Sequence, residues 1–258
     1  MFSFKDELLE KVDEELYGEY DYYISESSEG KILAVVLHFE EPEQDLISKM
    51  ERVGLAYIGI RESRPEDWLK NIITEPFEMI PGVIVDPEDH ELEVTNGKIV
   101  LKIPQGLAFG TGLHQTTRMC ALLLKNYLKP GMEVLDLGCG SGILAILSKK
   151  LGAGRVVAVD NDPLAVEVAK ENATRNNVEI DVRESDLFSN VDGQFDIIVS
   201  NIVAEIIIQM LRDAKGFLKQ NGLIIVSGII TQKLSLFEGY QIVEQLVMDE
   251  WNALVIKI

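Results

Sequence analysis

The sequence predicts an α/β protein in two parts: a seven-stranded, mostly parallel sheet with helices on both faces, preceded by a small α+β unit. Three observations carry this. From Glu133 onward, apolar runs rich in Val and Ile alternate with amphipathic segments, as expected where helices cover both faces of a parallel sheet. The last two runs, QIVEQLVMDE and WNALVIKI, follow one another with no helical segment between them, which suits an antiparallel pair at a sheet edge. Ahead of all this, residues 1–61 hold shorter helical and strand patterns of their own.

Taken in order, Lys5 to Leu16 places Leu8, Leu9, Val12 and Leu16 on one helical face. Tyr20–Ser25 and Lys31–Phe39 read as strands around the turn-rich SESSEG. Pro42 opens a second helix running to about Arg52, and Ala56–Arg61 reads as a further strand. Residues 62–80, with two prolines and no sheet pattern, read as a linker. The second domain is expected over 81–258. It begins with ELEVTNGKIVLKI, two alternating segments around Asn96-Gly97, the pattern of a hairpin. The strands EVLDLG, RVVAVD, EIDVRE, FDIIVSN and LIIVSGI then alternate with helices expected at Ile143–Leu151, Pro163–Asn176 and Val203–Lys219.

Composition narrows the function. The formal net charge is -19, which argues against a nucleic-acid substrate, because a phosphate backbone needs a basic face. Residues 1–100 hold 25 acids and 9 Lys/Arg, whereas residues 101–258 hold 18 and 15. The acidic excess therefore lies in the N-terminal part, where it either solubilises the surface or steers a basic partner. No apolar run approaches the ~18 residues of a membrane span, and the acidic N-terminus does not resemble a signal peptide. The two cysteines, Cys120 and Cys139, form no CxxC pair, and three scattered histidines make no metal triad. A soluble cytoplasmic protein with reduced thiols and no metal is expected.

The chemistry concentrates at VLDLGCGSG, Val134 to Gly142. Gly138, Gly140 and Gly142 let the backbone turn sharply and approach a ligand, and the amides at the following helix start favour anionic or polar groups. A second strand ends at Asp160, 22 residues after Gly138, where a carboxylate can accept hydrogen bonds from both ribose hydroxyls of an adenosine ligand. A dinucleotide fingerprint starting at Gly138 needs glycine at 143, where Ile143 stands. The spacing is instead G-x-G-x-G preceded by Asp136.

That turn resembles motif I of the Rossmann-like class I methyltransferases, which bind S-adenosylmethionine. GLAFGTGLHQTTRMC (Gly106 to Cys120) and SNIVAEI (Ser200 to Ile206) narrow the resemblance to the family that methylates large-subunit ribosomal protein eleven, at the stalk base. The resemblance implies S-adenosylmethionine as cofactor, with Phe109, Thr117, Gly138, Gly140, Asp160, Asp186 and Asn201 as contacts. Asp186 would lie near the adenine, and Asn201 at the methyl group. It also implies an N-terminal recognition domain for a basic ribosomal protein, and a protein N-methyltransferase acting on lysine and possibly N-terminal amines. We expect a monomer. No general base is required, and Asn201 is expected to orient the attacking amine.

Other residues carry less. His114 reads as a loop histidine that packs or bonds to backbone, and Cys139 as a small space-filler. Neither His38 nor His90 suggests catalysis. Trp68 reads equally as an interface anchor or a hinge contact. Asn-Ile-Val-Ala stands where nucleobase and glutamine methyltransferases place Asn-Pro-Pro-Tyr, so an aromatic stacking residue is missing. A small-molecule amine methyltransferase and a non-catalytic S-adenosylmethionine-binding module remain as alternatives.

Overall fold

The computed structural model describes residues 2–4, 22–26, 32–36, 44–52, 54–59, 73–90, 92, 97–105 and 110–258. The chain divides into two compact units, Met1–Asn71 and Ile72–Ile258.

Among the described residues of the first unit, β1 (Phe2–Phe4), β2 (Tyr22–Glu26), β3 (Ile32–Val36) and β4 (Ala56–Tyr57) form a sheet of order β2-β3-β1-β4, with every pairing antiparallel. One helix, α1 (Gln44–Arg52), buries Leu46 and Met50 one turn apart and exposes Glu51 and Arg52. The three-residue strand Phe2–Phe4 is too short to show a period in sequence, yet it occupies an interior position in the sheet. The helix expected at Lys5–Leu16 lies outside the described residues, as do His38 and Trp68.

The second unit opens with a three-stranded sheet of β5 (Phe77–Ile80), β6 (Val83–Asp86) and β7 (Ile99–Lys102). One expectation is corrected here. Phe77–Ile80 is not linker: it pairs antiparallel with β6 across a Pro81-Gly82 turn and buries Met79 and Ile80. Its flanking prolines bracket a four-residue strand rather than breaking it. The first half of the segment expected to form a hairpin around Asn96-Gly97 lies largely outside the described residues; the second half, β7, pairs parallel with β6. A local turn signal marks a turn but leaves the strand's partner open.

The main sheet has strand order β10-β9-β8-β11-β12-β14-β13. Its strands are β8 (Val134–Leu137), β9 (Val156–Asp160), β10 (Asp181–Glu184), β11 (Phe195–Asn201), β12 (Leu218–Ile230), β13 (Gln241–Met248) and β14 (Trp251–Lys257). The first five lie parallel, and β14 and β13 are antiparallel. Alternation along β11 sends Ile197 and Val199 to one face and Ile198 to the other. The first face is covered by α2 (Gln115–Tyr127), α3 (Ile143–Lys150) and α4 (Pro163–Arg175) through Met119, Leu123, Ile146 and Val166. On the second lies α5 (Ala204–Asp213), through Ile207, Met210 and Leu211. Each such side chain contributes roughly 1.5–3 kcal/mol by leaving water. The helix expected to run to Lys219 stops at Asp213. A 3-10 turn, Ala214–Phe217, follows, because Leu218 already pairs with Phe195.

The strand order reverses between β8 and β11, and a ligand crevice is expected beyond their carboxyl ends. The opposite end of the sheet is closed by ion pairs. Arg155 joins Glu133 and Asp192, Arg183 joins Asp181 and Asp192, and Lys219 joins Glu133 and Asp196.

Candidate active site

The turn after β8 is shaped by backbone. Gly138, Gly140 and Gly142 have φ of 75°, 53° and 76°, the left-handed region that L side chains avoid. The Gly138 and Cys139 amides both donate to the Val159 carbonyl, at 2.8 and 3.0 Å, so the turn is drawn across the end of β9. A Cβ on Gly138 would stand 2.5 Å from Ile202 Cγ2. Glycine there is a packing requirement as well as a conformational one.

Asp160, at the end of β9, ties the turn to the next helix. Its Oδ2 accepts from the Gly140 amide at 2.8 Å and its Oδ1 from the Asp162 amide at 3.1 Å. Asp162 caps α4 by accepting from Leu164 N, with Pro163 in the first turn. Each Asp160 oxygen keeps a second lone pair for a ligand.

Beneath the turn, Asp136 is wholly buried. Its Oδ2 accepts from Ala145 N in the first turn of α3 at 2.9 Å, while Oδ1 has no partner among the described residues. Burial raises its pKa to about 7, and the Asp160 charge adds to the shift. Cys139 is also buried, and burial lifts its thiol well above the ordinary range. Burial both packs it into the turn and disfavours the thiolate that a nucleophile needs.

The loop before α2 is strapped onto this turn. Ser141 Oγ donates to the Gly110 carbonyl at 2.6 Å, and Asn172 Nδ2 donates to the Ser141 carbonyl at 2.9 Å. A Cβ on Gly112 would crowd Val85, Met79 and Ile143 at 3.0–3.2 Å. His114 caps α2: its Nδ1 lies 2.8 Å from Thr116 Oγ1, and its ring meets Trp251 edge-on at 5.0 Å between centroids. Burial lowers its pKa, favouring the neutral ring that accepts at Nδ1. His90, by contrast, pairs with buried Asp86 at 2.7 Å, and that bond raises its pKa.

Asn201 closes β11. Its Nδ2 donates to Thr117 Oγ1 at 3.2 Å, bridging 84 residues of sequence. Thr117 is buried, so its hydroxyl holds the amide in one orientation. With Nδ2 engaged, Oδ1 is the acceptor left for a ligand. Asp186 is exposed in the turn after β10, whose backbone is held by Ser189, and its carboxylate has no hydrogen bond among the described residues. Phe109 lies outside the described residues. Of the sequence-expected set, Gly140 and Asp160 are therefore joined directly, Gly138 belongs to the same turn, and Thr117 and Asn201 form a second joined pair. Ile202, within the Asn-Ile-Val-Ala segment, links the two groups, a packing role that the motif does not state.

The family model for "Ribosomal protein L11 methyltransferase (PrmA)" matches residues 3–258. The chain belongs to this family. It is 54% identical over its full length to the ribosomal protein L11 methyltransferase of Thermosipho africanus, covering 97% of that protein. It is 51% identical to that of Thermosipho melanesiensis, covering 96%. The crystal structure of a ribosomal protein L11 methylase from Lactobacillus delbrueckii subsp. bulgaricus superposes with a TM-score of 0.66 at 32% identity, covering 70% of this chain and 97% of that one.

As a member of the L11 methyltransferase family, the chain has a class I methyltransferase fold and uses S-adenosylmethionine as methyl donor. The site fits that donor. Asp160 keeps a lone pair on each oxygen for paired hydroxyls, the Gly140 amide faces it across the turn, and beneath the turn the buried Asp136 Oδ1 is without a partner among the described residues. Among the described residues, no group of three or more His, Cys, Asp or Glu side chains is placed to hold a metal ion. No helix among them is long and apolar enough to cross a membrane.

Proposed function

We propose that this chain is a protein-lysine N-methyltransferase that transfers methyl groups from S-adenosylmethionine to lysine side-chain amines of ribosomal protein L11, and to its N-terminal amine where that can reach. The observation that carries this reading is the Asn201–Thr117 hydrogen bond. It leaves the Asn201 carbonyl oxygen as an acceptor at the mouth of the site, suited to an amine N–H.

Gly138, Gly140 and Asp160 hold the adenosine part of the donor, Asp186 lies at the adenine, and Thr117 with Asn201 lies at the methyl end. Bound there, the donor supplies a methyl group on a sulfonium leaving group. The chain supplies alignment. A free lysine amine has a pKa near ~10.4, so about one in a thousand is neutral near pH 7.4. Desolvation in the crevice and the neighbouring positive charge shift the amine towards its neutral form. Its proton leaves to water, and no side chain is assigned as base. Asn201 Oδ1 then accepts from one amine N–H and aims the lone pair.

The acidic excess in residues 1–100 supports residues 1–61 as the unit that grips a basic ribosomal protein. We read the enzyme as a cytoplasmic monomer, where its two free cysteines stay reduced. The test uses L11 whose amines have been acetylated, which withdraws the lone pair that attacks the methyl group. Untreated L11 is expected to take up label from methyl-labelled donor and acetylated L11 to take up none. Equal labelling of both would refute an amine, lysine included, as the target.

A further inference from the structure

The corner that carries Asn201 rests on a β-bulge two strands wide. Asn201 pairs in register with Ser227 on β12, and Ser227 pairs with Ala253 on β14. The next β14 residue, Asn252, pairs with Ile229, so Gly228 is the extra residue. Gly228 has φ 92°, and a Cβ there would stand 2.1 Å from the Ile202 carbonyl oxygen and 2.8 Å from its carbon. The bulge therefore lies in direct backbone contact with the residue that follows Asn201. Ile202 in turn packs its side chain over Gly138. Bulges beside active sites re-aim side chains.

The bulge is held by one buried amide. Asn252 is 1% exposed. Its Nδ2 donates to Thr231 Oγ1 at 3.1 Å and to the Ile229 carbonyl at 3.3 Å, with the Glu250 carbonyl at 3.5 Å. Its Oδ1 accepts from Gln245 Nε2 at 2.9 Å, and its backbone carbonyl accepts from Ser227 Oγ at 2.9 Å. The side-chain amide thus holds the Ile229 side of Gly228, while the bond from Ser227 goes to the Asn252 main chain. An apolar residue at 252 would fit the strand pattern better, since Ala253, Leu254, Val255 and Ile256 are all buried. A buried polar group is tolerated when its partners are satisfied, and such a network fixes one geometry.

We propose that Asn252 is a positioning residue for methyl transfer: it sets the β12 bulge at Gly228, and through Gly228 and Ile202 it sets the placement of Asn201. This rests on the reading of Asn201 as the residue that orients the amine. Asn252 touches neither donor nor acceptor. Its loss should act where Asn201 acts, and should change donor binding, built chiefly on Asp160 and Gly140, much less than transfer.

The test compares Asn252→Ala, Asn201→Ala and the double variant in single-turnover methylation of purified L11, with donor affinity measured by calorimetry. Asn252→Ala is expected to slow transfer about tenfold or more, as for a displacement near 1 Å, with donor Kd within twofold of wild type. Adding Asn252→Ala to Asn201→Ala should cost no further rate. Thr231→Ala, at an exposed partner of Asn252, keeps the fold in any case and is expected to show a smaller loss of the same kind. Independent losses that multiply in the double variant would overturn the proposal while leaving the role of Asn201 standing. A wild-type rate in Asn201→Ala would instead overturn the role of Asn201 and the proposal with it.

Discussion

Replacing Asp136 by asparagine tests how the glycine turn is held, and its size can be worked from the structure. Asp136 is fully buried, with one oxygen satisfied by Ala145 N and the other without a partner among the described residues. Its pKa rises from an ordinary 3.8 to about 7 in the fold. Between those values the native state holds a proton that the unfolded state has released, so stability falls as pH rises through this window. Below about pH 4 both states are protonated, and above about pH 7 both are ionised, so the loss is then complete. At about 1.4 kcal/mol per pH unit, the full cost approaches ~4 kcal/mol, with about 2–3 kcal/mol falling between pH 5 and 7. The amide of the Asp136→Asn variant cannot ionise, so the stability of wild type relative to that variant should fall by the same amount from pH 5 to 7. For a chain of this size that corresponds to roughly 4–12 °C in the difference of melting temperatures. Thermal melts of both proteins, free of donor, at pH 5, 6, 7 and 8 measure it, and the other carboxylates cancel in the comparison. A difference that stays flat with pH would refute the buried, unpartnered state of Asp136.

Other perturbations follow from the same geometry. Asp160→Ala removes the acceptor of the Gly140 and Asp162 amides along with the proposed ribose contact, and should weaken donor binding by about 2–4 kcal/mol, roughly 30- to 1000-fold in Kd by calorimetry. Gly138→Ala meets both left-handed backbone strain, about 1–2 kcal/mol, and the Ile202 side chain; a melt should show that destabilisation, and an assay a fall in kcat. Association with L11 should weaken as salt rises from low to physiological ionic strength, because exposed charges more than about 10 Å apart are then screened; a Kd that does not respond to salt would remove the steering role of the acidic N-terminal unit.

What is legible in the sequence follows the range of the forces involved. The β8, β9 and β11 strands are readable because VLDL, VVAVD and FDIIVSN are buried on both faces, and burial leaves a mark on each residue type. The Gly138 turn and Asp160 are readable because a turn conformation and a strand end are local events. Phe77–Ile80 escapes the pattern because Pro76 and Pro81 signal a break, while the burial of Met79 and Ile80 depends on chain elsewhere. The partner of β7 is invisible for a similar reason, since a turn-forming Asn-Gly says nothing of a strand lying parallel to β6. Thr117 and Asn201 come from resemblance alone: no pattern in the sequence joins residues 84 apart. Asn252 stands as one polar residue in an apolar run, and only the bulge beside it gives it meaning. Gly228 offers a hint, because a lone glycine inside a strand pattern often marks a bulge.

The most direct measurement is to incubate the purified chain with methyl-labelled S-adenosylmethionine and purified ribosomal protein L11, then locate the label by peptide mass spectrometry. Label on lysine-containing peptides of L11, strongly reduced for Asn201→Ala, is the expected result. A chain that binds the donor yet leaves L11 unlabelled, or that labels no amine, would contradict the assignment.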